Sequence, residues 1–365
     1  MWDTGTRTSI SHPVFCRPEG DKSVNSSRAD ECDWAYDLGC TYLGPIVLHL
    51  VEWIFDQAEG YDGVLFSARD GYFIKKVYDY LADKKCKRAR GDQVAPSHYF
   101  YTSRKSAVAL IAADEEDTIN LLVGEAAKHM MPDEMLREVF CMDAKDVVPY
   151  DVEAYGDERY RYFWDYYDEV VRNERRLRRN FYRYMGREGL VIGGRYLFYD
   201  FYSSGTVQRS LSNLVPFEMD GIYYRFHGNH DFDGAVSSYF PDESRILTDN
   251  YRAMEDLLSS PEGSLWGFDD EGRRILCHDA RSKYELDVLA AAQDGALHYI
   301  CDATSEMGNG GPSGGPATRS EIKELIAKLG DTYERESMNG DTTTPVDDWM
   351  MGIKSENWSQ GHENE

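Results

Sequence analysis

The sequence has little positive charge for its length. Its 365 residues contain 40 Lys and Arg against 65 Asp and Glu, which gives a formal net charge of −25. Affinity for nucleic-acid backbones comes from cationic side chains that displace counterions, so this balance excludes a general DNA- or RNA-binding protein. The same repulsion disfavours docking on an anionic membrane surface.

The sequence also lacks a long apolar run. The most apolar stretch, residues 43–55, is interrupted by His49 and Glu52 and is shorter than the roughly 20 residues needed to cross a bilayer. The first residues, MWDTGTRTSISHPVF, contain no uninterrupted apolar segment of the kind found in a secretory signal. We therefore predict a core helix at residues 43–55, no membrane span and a cytoplasmic location.

Cysteine is sparse and irregularly spaced. The total is odd and no CxxC pair occurs, which argues against both a disulfide framework and a zinc knuckle. The seven residues are Cys16, Cys32, Cys40, Cys86, Cys141, Cys277 and Cys301. We interpret them as free buried or surface thiols.

What is present is one block of apolar periodicity between two polar ends. The first residues are rich in Ser, Arg, Asp and Gly, residues 308–315 read GNGGPSGG, and Thr318 with Glu321 resembles a helix capping box. The predicted segments are a disordered leader (1–33), an α/β domain (34–305), a Gly-rich linker (306–318), a short helix (319–330) and an acidic disordered tail (331–365).

Short apolar strands alternate with amphipathic helices inside the α/β domain. The predicted strands are 64–68, 98–102, 196–199 and 221–226, and the predicted helices are 44–57, 73–81, 105–111 and 207–214, with a helical insertion at about 115–186. Strands separated by helices imply right-handed crossovers. The fold class predicted is α/β: a mostly parallel sheet with helices on both faces in three layers, plus the helical insertion.

Three loops follow the predicted strands at the edge where such sheets bind ligands. They contain guanidinium groups that can grip a phosphate, carboxylates that can hold Mg²⁺, and a Ser/Gly turn whose N–H groups favour an anion. Asp70 and Asp200 are the predicted catalytic residues and Mg²⁺ ligands. The predicted phosphate-binding residues are Arg69, Gly71, Ser103, Arg104, Ser203, Ser204, Gly205 and Thr206.

Each of these residues taken singly also has a structural explanation. Asp-Gly is a common turn, an arginine can pair with a nearby carboxylate, and Asp200 can cap the helix that follows it. Their joint placement after three strands favours a site for a phosphorylated ligand. Glu255 and Asp256 are candidates for the rim of that site.

Several segments in order resemble a known family. They are YLGPIVLHLVEWIF, VLFSARDGYFIKKVYDYL, YFYTSRKSA, YDFYSSGTVQRSL, MEDLLSSPEGSLWGF and AAAQDGALHYI, within about residues 37–305. They are similar to predicted hydrolases of the HAD (haloacid-dehalogenase-like) superfamily from bacterial surface-polysaccharide gene clusters. The resemblance implies a phosphorylated sugar or nucleotide-sugar as the ligand and a glycosyltransferase as a partner.

The chain departs from that superfamily at the residue that performs its chemistry. A HAD phosphatase needs an Asp nucleophile two residues before a second Asp that acts as acid and base. Asp70 can stand for the second Asp, but Ala68 occupies the nucleophile position. Asp70 alone cannot form the phosphoaspartate, so a standard HAD hydrolase is not expected.

Two of the loops also resemble those of phosphoribosyltransferases. LFSARDGYF is similar to the loop that holds pyrophosphate, and YLFYDFYSSGTVQ is similar to the loop that holds the 5-phosphate. Asp200 is single where that family has an acidic pair, and Asp70 replaces a Gly. Three classes therefore stay open: an enzyme acting on a phosphorylated sugar, a phosphoribosyltransferase-like enzyme, and a non-catalytic partner of a glycosyltransferase.

Two further patterns are given structural interpretations. Residues 228–231 read GNHD, as in metallophosphoesterases, but the other motifs of that class are missing, so we predict a surface loop. A basic run lies on a predicted amphipathic helix, for which we expect a solvated face, with a grip on a polyanionic substrate as the alternative. Its members are Arg172, Arg175, Arg176, Arg178, Arg179 and Arg183.

Overall fold

The computed structural model describes most of the chain between residues 26 and 339. The described ranges are 26–88, 94–111, 131–155, 159–228, 232–241, 251–306 and 318–339. Residues 229–231 of the GNHD sequence and most of the Gly-rich linker lie outside them.

A five-stranded sheet forms the centre of the molecule. All neighbouring strands are parallel, in the order β2-β1-β3-β4-β5. The strands are β1 (Gly63–Ser67), β2 (Ser97–Phe100), β3 (Arg195–Ser203), β4 (Glu218–Phe226) and β5 (Val236–Ser238). The predicted α/β fold with a mostly parallel sheet is confirmed.

Helices surround this sheet. They are α1 (Ser26–Leu38), a π-helical turn (Gly39–Leu43), α2 (Gly44–Gln57), α3 (Gly71–Arg88), α4 (Arg104–Ala109), α5 (Pro132–Glu138), a 3₁₀ turn (Ala144–Asp146), α6 (Val152–Tyr155), α7 (Arg159–Asp165), α8 (Tyr167–Glu188), α9 (Thr206–Ser212), α10 (Tyr251–Leu258), α11 (Lys283–Glu306) and α12 (Arg319–Asn339). A separate antiparallel hairpin consists of β6 (Leu265–Phe268) and β7 (Arg274–Leu276).

The two faces of the sheet carry different cores because successive side chains of a strand point to opposite sides. On one face, Phe66 of β1 lies 5.3 Å, between ring centroids, from Tyr78 of α3. On the other face, Phe100 of β2 lies 6.3 Å from Phe198 of β3 and 6.3 Å from Phe181 of α8. Helix α8 thus covers the second face and leaves its own outer side to solvent.

The helical insertion has a small core of its own. Met135, Leu136, Phe140 and Phe163 are buried together where α5 and α7 meet the start of α8. The described part of the insertion runs from α5 to α8, and residues 112–130 lie outside it. These contacts give the described part of the insertion a hydrophobic core separate from the two cores of the sheet.

Helix α1, the π-helical turn and α2 are continuous along the chain. Because the π-helical turn joins α1 to α2 without a break, the apolar segment is longer than residues 43–55 alone. The stretch Glu31–Gln57 is long and apolar enough to cross a membrane, with a mean hydropathy of 1.4 in its most apolar window, and 61% of that window is buried inside the fold. Ile46, Leu50 and Ile54 belong to the main core.

Both ends of the described chain extend further than the sequence indicates. Residues 26–33, predicted as leader, form the first part of α1. Residues 331–339, predicted as tail, form the last part of α12. Glu321 donates its backbone N–H to the Thr318 hydroxyl at 3.3 Å, and its carboxylate accepts the Thr318 N–H at 2.6 Å, as a capping box does. Ile322, Ile326 and Leu329 anchor α12 in the main core.

Candidate functional site

The loops after β1 and β3 meet at the carboxyl edge of the sheet. Strand β1 has β2 on one side and β3 on the other, so the chain winds away in opposite directions from this point. Open α/β sheets bind ligands in the crevice at such a reversal. The two strands are also joined by side chains, because the Ser67 hydroxyl donates a hydrogen bond to the Asp200 carboxylate at 3.1 Å.

Asp200 lies near the end of β3, half-buried between the two strands. Its carboxylate accepts hydrogen bonds from Ser67 and, at 3.0 Å, from the Phe201 backbone N–H. Burial raises the pKa of Asp200, while hydrogen bonds from Ser203, Ser67 and Phe201 and the positive charge of Arg104 act in the opposite direction. The site therefore holds a carboxyl group that gives up its proton less readily than an exposed Asp.

Asp70 precedes the first residue of α3 and is also half-buried. Its pKa is well above the ordinary Asp value, first because of burial and then because of the negative charge of Glu255. Asp200 and Asp256 raise the pKa further, whereas Arg69 opposes the shift. Glu255 and Asp256 of α10 thus belong to the electrostatic surroundings of the site, and the carboxyl groups outnumber the guanidinium groups there.

Arg69 is held in place by its neighbours. Its φ angle of 69° is unusual for a residue with a side chain, and such a conformation needs support from the surrounding structure. That support includes the backbone N–H, which donates to the Tyr99 hydroxyl at 2.8 Å, and the guanidinium, which donates to the Ser264 hydroxyl at 3.0 Å. Arg69 is therefore partly committed to the loop that contains Ser264.

Arg104 differs from Arg69 because its side chain is exposed and uncommitted. It starts α4, and it forms no hydrogen bond or ion pair with any residue in the described part of the chain. Its positive charge helps to lower the pKa of His227, which burial lowers most, and it also acts on Asp200. Arg104 is thus a free guanidinium near the Asp200 carboxylate at the edge of the crevice.

The turn after β3 contains four of the predicted phosphate-binding residues. Gly205 has a φ angle of 80° and donates its N–H to the Ser203 hydroxyl at 3.1 Å. The Ser204 and Thr206 hydroxyls lie 3.1 Å apart and are half-buried. Ser203 therefore supports the turn, while Ser204 and Thr206 keep hydroxyl groups together at the crevice.

Two predicted ligands have structural roles. The Ser103 hydroxyl accepts the Ser106 N–H at 3.0 Å, as the cap of α4, and donates to the Leu265 carbonyl at 3.0 Å. Gly71 starts α3 against the backbone of Phe66, where an added Cβ would lie 3.0 Å from the Phe66 carbonyl carbon. The structure thus explains Ser103 and Gly71 without a ligand, although both lie in the predicted loops.

The wall of the crevice includes residues that the sequence did not indicate. Arg281 donates to the Ser259 hydroxyl at 2.9 Å and to the Ser260 carbonyl at 2.5 Å, and it pairs with Asp279 at 2.5 Å. These contacts hold the loop that reaches Arg69 through Ser264. No local signal could have identified them, because residues far apart in sequence meet only in the folded chain.

Tyr199 presents a buried polar atom at the end of β3. Its hydroxyl has no hydrogen-bond partner among the described residues. Burial raises the Tyr199 pKa, and the negative charges of Asp70 and Asp200 raise it further. The sequence does not single out Tyr199, because it lies within the apolar run that predicts the strand.

No protein-family model matches the chain, and no curated protein matches it. The resemblances to HAD-like hydrolases and to phosphoribosyltransferases therefore stay predictions, and function is argued from the site.

Proposed function

We propose that this protein binds a phosphorylated sugar or nucleotide-sugar at the crevice between β1 and β3, and that it hydrolyses or transfers the phosphoryl group. The observation that carries the proposal is the exposed Arg104 guanidinium, which forms no hydrogen bond or ion pair within the described chain and whose charge acts on the half-buried Asp200 carboxyl group. One group suits the phosphate, and the other suits proton transfer. Bacterial surface-polysaccharide assembly is the setting in which we expect the substrate.

The phosphate would contact Arg104 and the hydroxyls of Ser204 and Thr206. Charge-assisted hydrogen bonds from a guanidinium to phosphate are short and about twice as strong as neutral ones. Because Arg104 has no partner to give up within the described chain, ligand binding would break no ion pair there. Arg69, anchored to Ser264, would contribute its remaining N–H donors.

Asp70 and Asp200 form a donor set that suits Mg²⁺. The ion typically takes one or two protein carboxylates together with substrate phosphate oxygens. Among the described residues, no group of three or more His, Cys, Asp or Glu could hold a metal. Two carboxylates whose pKa values are raised by burial fit this sparse arrangement. A bound ion would supply positive charge to the phosphoryl oxygens.

Asp200 is the residue that we assign to proton transfer. With Ala68 at the position of a HAD nucleophile, the attacking group is a water or an acceptor hydroxyl. Its oxygen bonds to phosphorus, the phosphorus–oxygen bond to the sugar breaks, and the proton passes to the Asp200 carboxylate. The leaving oxygen then takes up a proton from solvent. A cation bound at this carboxylate would offset the rise in pKa that burial causes, so that Asp200 would be ionised and able to accept the proton.

A second candidate function is a non-catalytic partner of a glycosyltransferase. The observation that favours it is Ala68, since the chain lacks the nucleophile of the family that it resembles. In that case the crevice would bind the phosphorylated ligand without turnover. The phosphoribosyltransferase-like alternative would instead bind phosphoribosyl pyrophosphate in preference to other phosphorylated compounds.

Calorimetric titration with a sugar phosphate, a nucleotide-sugar and phosphoribosyl pyrophosphate, each in Mg²⁺, tests the proposal. We expect Arg104→Gln to weaken binding by about 1.5–3 kcal/mol, the value of a hydrogen bond to a charged group. Lys328→Gln is the control, since Lys328 is also exposed and its side chain forms no ion pair or hydrogen bond within the described residues.

The outcomes separate the candidates. Binding with phosphate release, both reduced in Arg104→Gln, supports the enzyme. Binding without release supports the non-catalytic partner. If no phosphorylated compound binds at millimolar concentration, or if Arg104→Gln binds like Lys328→Gln, the proposed site is wrong.

A further inference from the structure

Helix α8 concentrates positive charge in an otherwise acidic chain. From residue 172 to its end, the helix contains seven arginines and one acidic residue before the terminal Glu188: Arg172, Arg175, Arg176, Arg178, Arg179, Arg183 and Arg187. At a rise of about 1.5 Å per residue, they extend over more than about 20 Å. Val170, Phe181, Tyr184 and Met185 bury the opposite side of the helix.

Most of these guanidiniums remain accessible to a partner. Arg179 forms an ion pair with Asp270 at 3.1 Å, with both side chains more than half exposed, and Arg172 pairs with Glu169 in a similar way. Such exposed pairs contribute about 0–1 kcal/mol and exchange readily with other anions. Arg175 forms no ion pair or hydrogen bond within the described chain.

The arginines line a shallow open groove. Its walls are formed by Arg175, Arg178, Arg179, Tyr182 and Arg183. The Tyr182 hydroxyl donates to the Leu214 carbonyl at 3.0 Å, so the groove extends toward the loop between α9 and β4. Planar guanidiniums grouped in this way suit phosphate or carboxylate groups, which they bind through two parallel hydrogen bonds.

An apolar tip lies next to this groove. Val191 and Ile192, in the turn after α8, have 58% and 81% of their surfaces exposed. The turn is fixed to the same α9–β4 loop that Tyr182 contacts, because the Gly193 N–H donates to the Pro216 carbonyl at 2.7 Å. The groove, with its arginines and Tyr182, and the turn with its two exposed aliphatic side chains thus contact the same α9–β4 loop, and we call them together the basic–apolar surface.

We propose that the basic–apolar surface docks on a membrane containing anionic lipids, with the arginines on headgroup phosphates and Val191 and Ile192 in the headgroup boundary. A soluble polyanion would satisfy the arginines but would leave the aliphatic tip in water, whereas a lipid surface offers both phosphates and an apolar boundary. Basic groups beside apolar ones are the pattern of interfacial membrane binding.

The acidity of the whole chain does not prevent this docking. Charges farther from the membrane than the Debye length, about 8 Å at physiological salt, are largely screened. The local charge of the docking surface therefore matters more than the net charge of −25. That local charge also includes Asp270 and Glu271, whose contacts with Arg179, Arg183 and Arg187 would be exchanged for lipid phosphates. The proposal does not depend on the phosphoryl chemistry, since the surface lies on α8 and not in the loops after β1 and β3.

Vesicle co-sedimentation of the full chain tests the proposal. The probes are vesicles of phosphatidylcholine alone and of phosphatidylcholine with about one third phosphatidylglycerol. We expect binding only to the second kind, and loss of that binding at about 1 M salt, where the Debye length falls to about 3 Å. Binding to both kinds alike, or to neither, would overturn the proposal.

Two sets of variants locate the contact. Arg175→Gln and Arg179→Gln should each weaken binding about fivefold, which corresponds to about 1 kcal/mol for a basic residue near an anionic surface. Val191→Ser with Ile192→Ser should weaken binding further and leave thermal unfolding unchanged. The matched controls are Lys145→Gln and the double change Val148→Ser with Val152→Ser, at residues equally exposed elsewhere.

The controls distinguish binding at the basic–apolar surface from non-specific binding to the vesicles. If they reduce binding as much as the α8 and tip variants do, the membrane contact is not at the basic–apolar surface. If the arginine variants weaken binding but the Val191 and Ile192 changes do not, the aliphatic tip takes no part in binding and the proposed docking geometry is wrong.

Discussion

The crevice and the outer side of α8 differ in how far their charged side chains are exposed to solvent. At the crevice, Asp70 and Asp200 are taken partly out of water, and burial raises the pKa of both. On α8, the arginines other than Arg178 stay in solvent and form weak pairs such as Arg179 with Asp270, while Arg178 turns inward to Glu174 and the Leu110 carbonyl. Charge that is desolvated acquires altered proton affinity and suits chemistry, whereas solvated charge suits reversible attraction.

The same residue type shows this contrast most clearly. Arg281 at the crevice wall has only 5% of its side chain exposed and contacts Asp279, Ser259 and Ser260, while the Arg179 side chain is 54% exposed. One arginine organises a loop, and the other contributes to an electrostatic surface. The predictions below are ordered from the largest expected effect to the smallest.

Arg281→Ala should destabilise the protein strongly. Removal of one partner from a buried ion pair leaves the other charge uncompensated, which costs about 3–5 kcal/mol. Arg179→Ala should change stability by less than about 0.5 kcal/mol, because the residue is on the surface. Denaturant unfolding of both variants measures the difference. Equal effects would mean that the crevice wall does not depend on Arg281.

Gly205→Ala and Gly189→Ala compare a crowded turn with an open one. Both glycines have positive φ, 80° at Gly205 and 70° at the end of α8, so each substitution should cost about 1–2 kcal/mol. A Cβ at Gly205 would also lie 2.8 Å from the Phe226 ring, whereas nothing lies within 4 Å at Gly189. Gly205→Ala should therefore lower the free energy of unfolding more. The opposite order would show that the turn after β3 can widen freely.

Asp70→Asn should make the protein more stable near neutral pH. Because the folded-state pKa of Asp70 is raised, the wild type binds more protons when folded than when unfolded, so this contribution to stability is full below about pH 4 and is lost as the pH rises through the folded pKa. Measured between pH 4 and neutrality, the unfolding free energies of the two proteins should diverge, with the variant higher. Mg²⁺ should stabilise only the wild type, and parallel curves would contradict the electrostatic account.

The sheet and most of its helices could be predicted because buried parallel strands are short apolar runs. Leu65, Phe66 and Phe198 lie in such runs, and their burial on both faces is what the pattern indicates. Strand β5 was missed because its three residues, Val236–Ser238, are mostly polar and only partly buried. The hairpin β6–β7 is not evident from the pattern because β7 is mostly exposed and β6 directly follows the turn-forming residues 259–264.

The loops of the candidate site were predictable for a different reason. Strand ends locate the loops, so Asp70 and Asp200 could be assigned to one edge before the strand order was known. Which side chains are free could not be predicted, because that depends on contacts such as Ser103 with Leu265 and Arg69 with Ser264, 162 and 195 residues apart. The sequence therefore predicts the same phosphate-binding role for Arg69 and Arg104, whereas in the structure only Arg69 is hydrogen-bonded to another loop.

The most direct test of the central claim is the linkage between Mg²⁺ and phosphate at the crevice. Calorimetry gives the affinity of a sugar phosphate or nucleotide-sugar with and without Mg²⁺, for the wild type and for Asp200→Asn, which keeps the acceptor for Ser67 and Phe201 but loses the charge. We predict that Mg²⁺ tightens binding to the wild type by about tenfold or more, or about 1.4 kcal/mol, and does not tighten binding to the variant. Equal Mg²⁺ effects in both proteins would contradict a shared cation and phosphate site at this edge of the sheet.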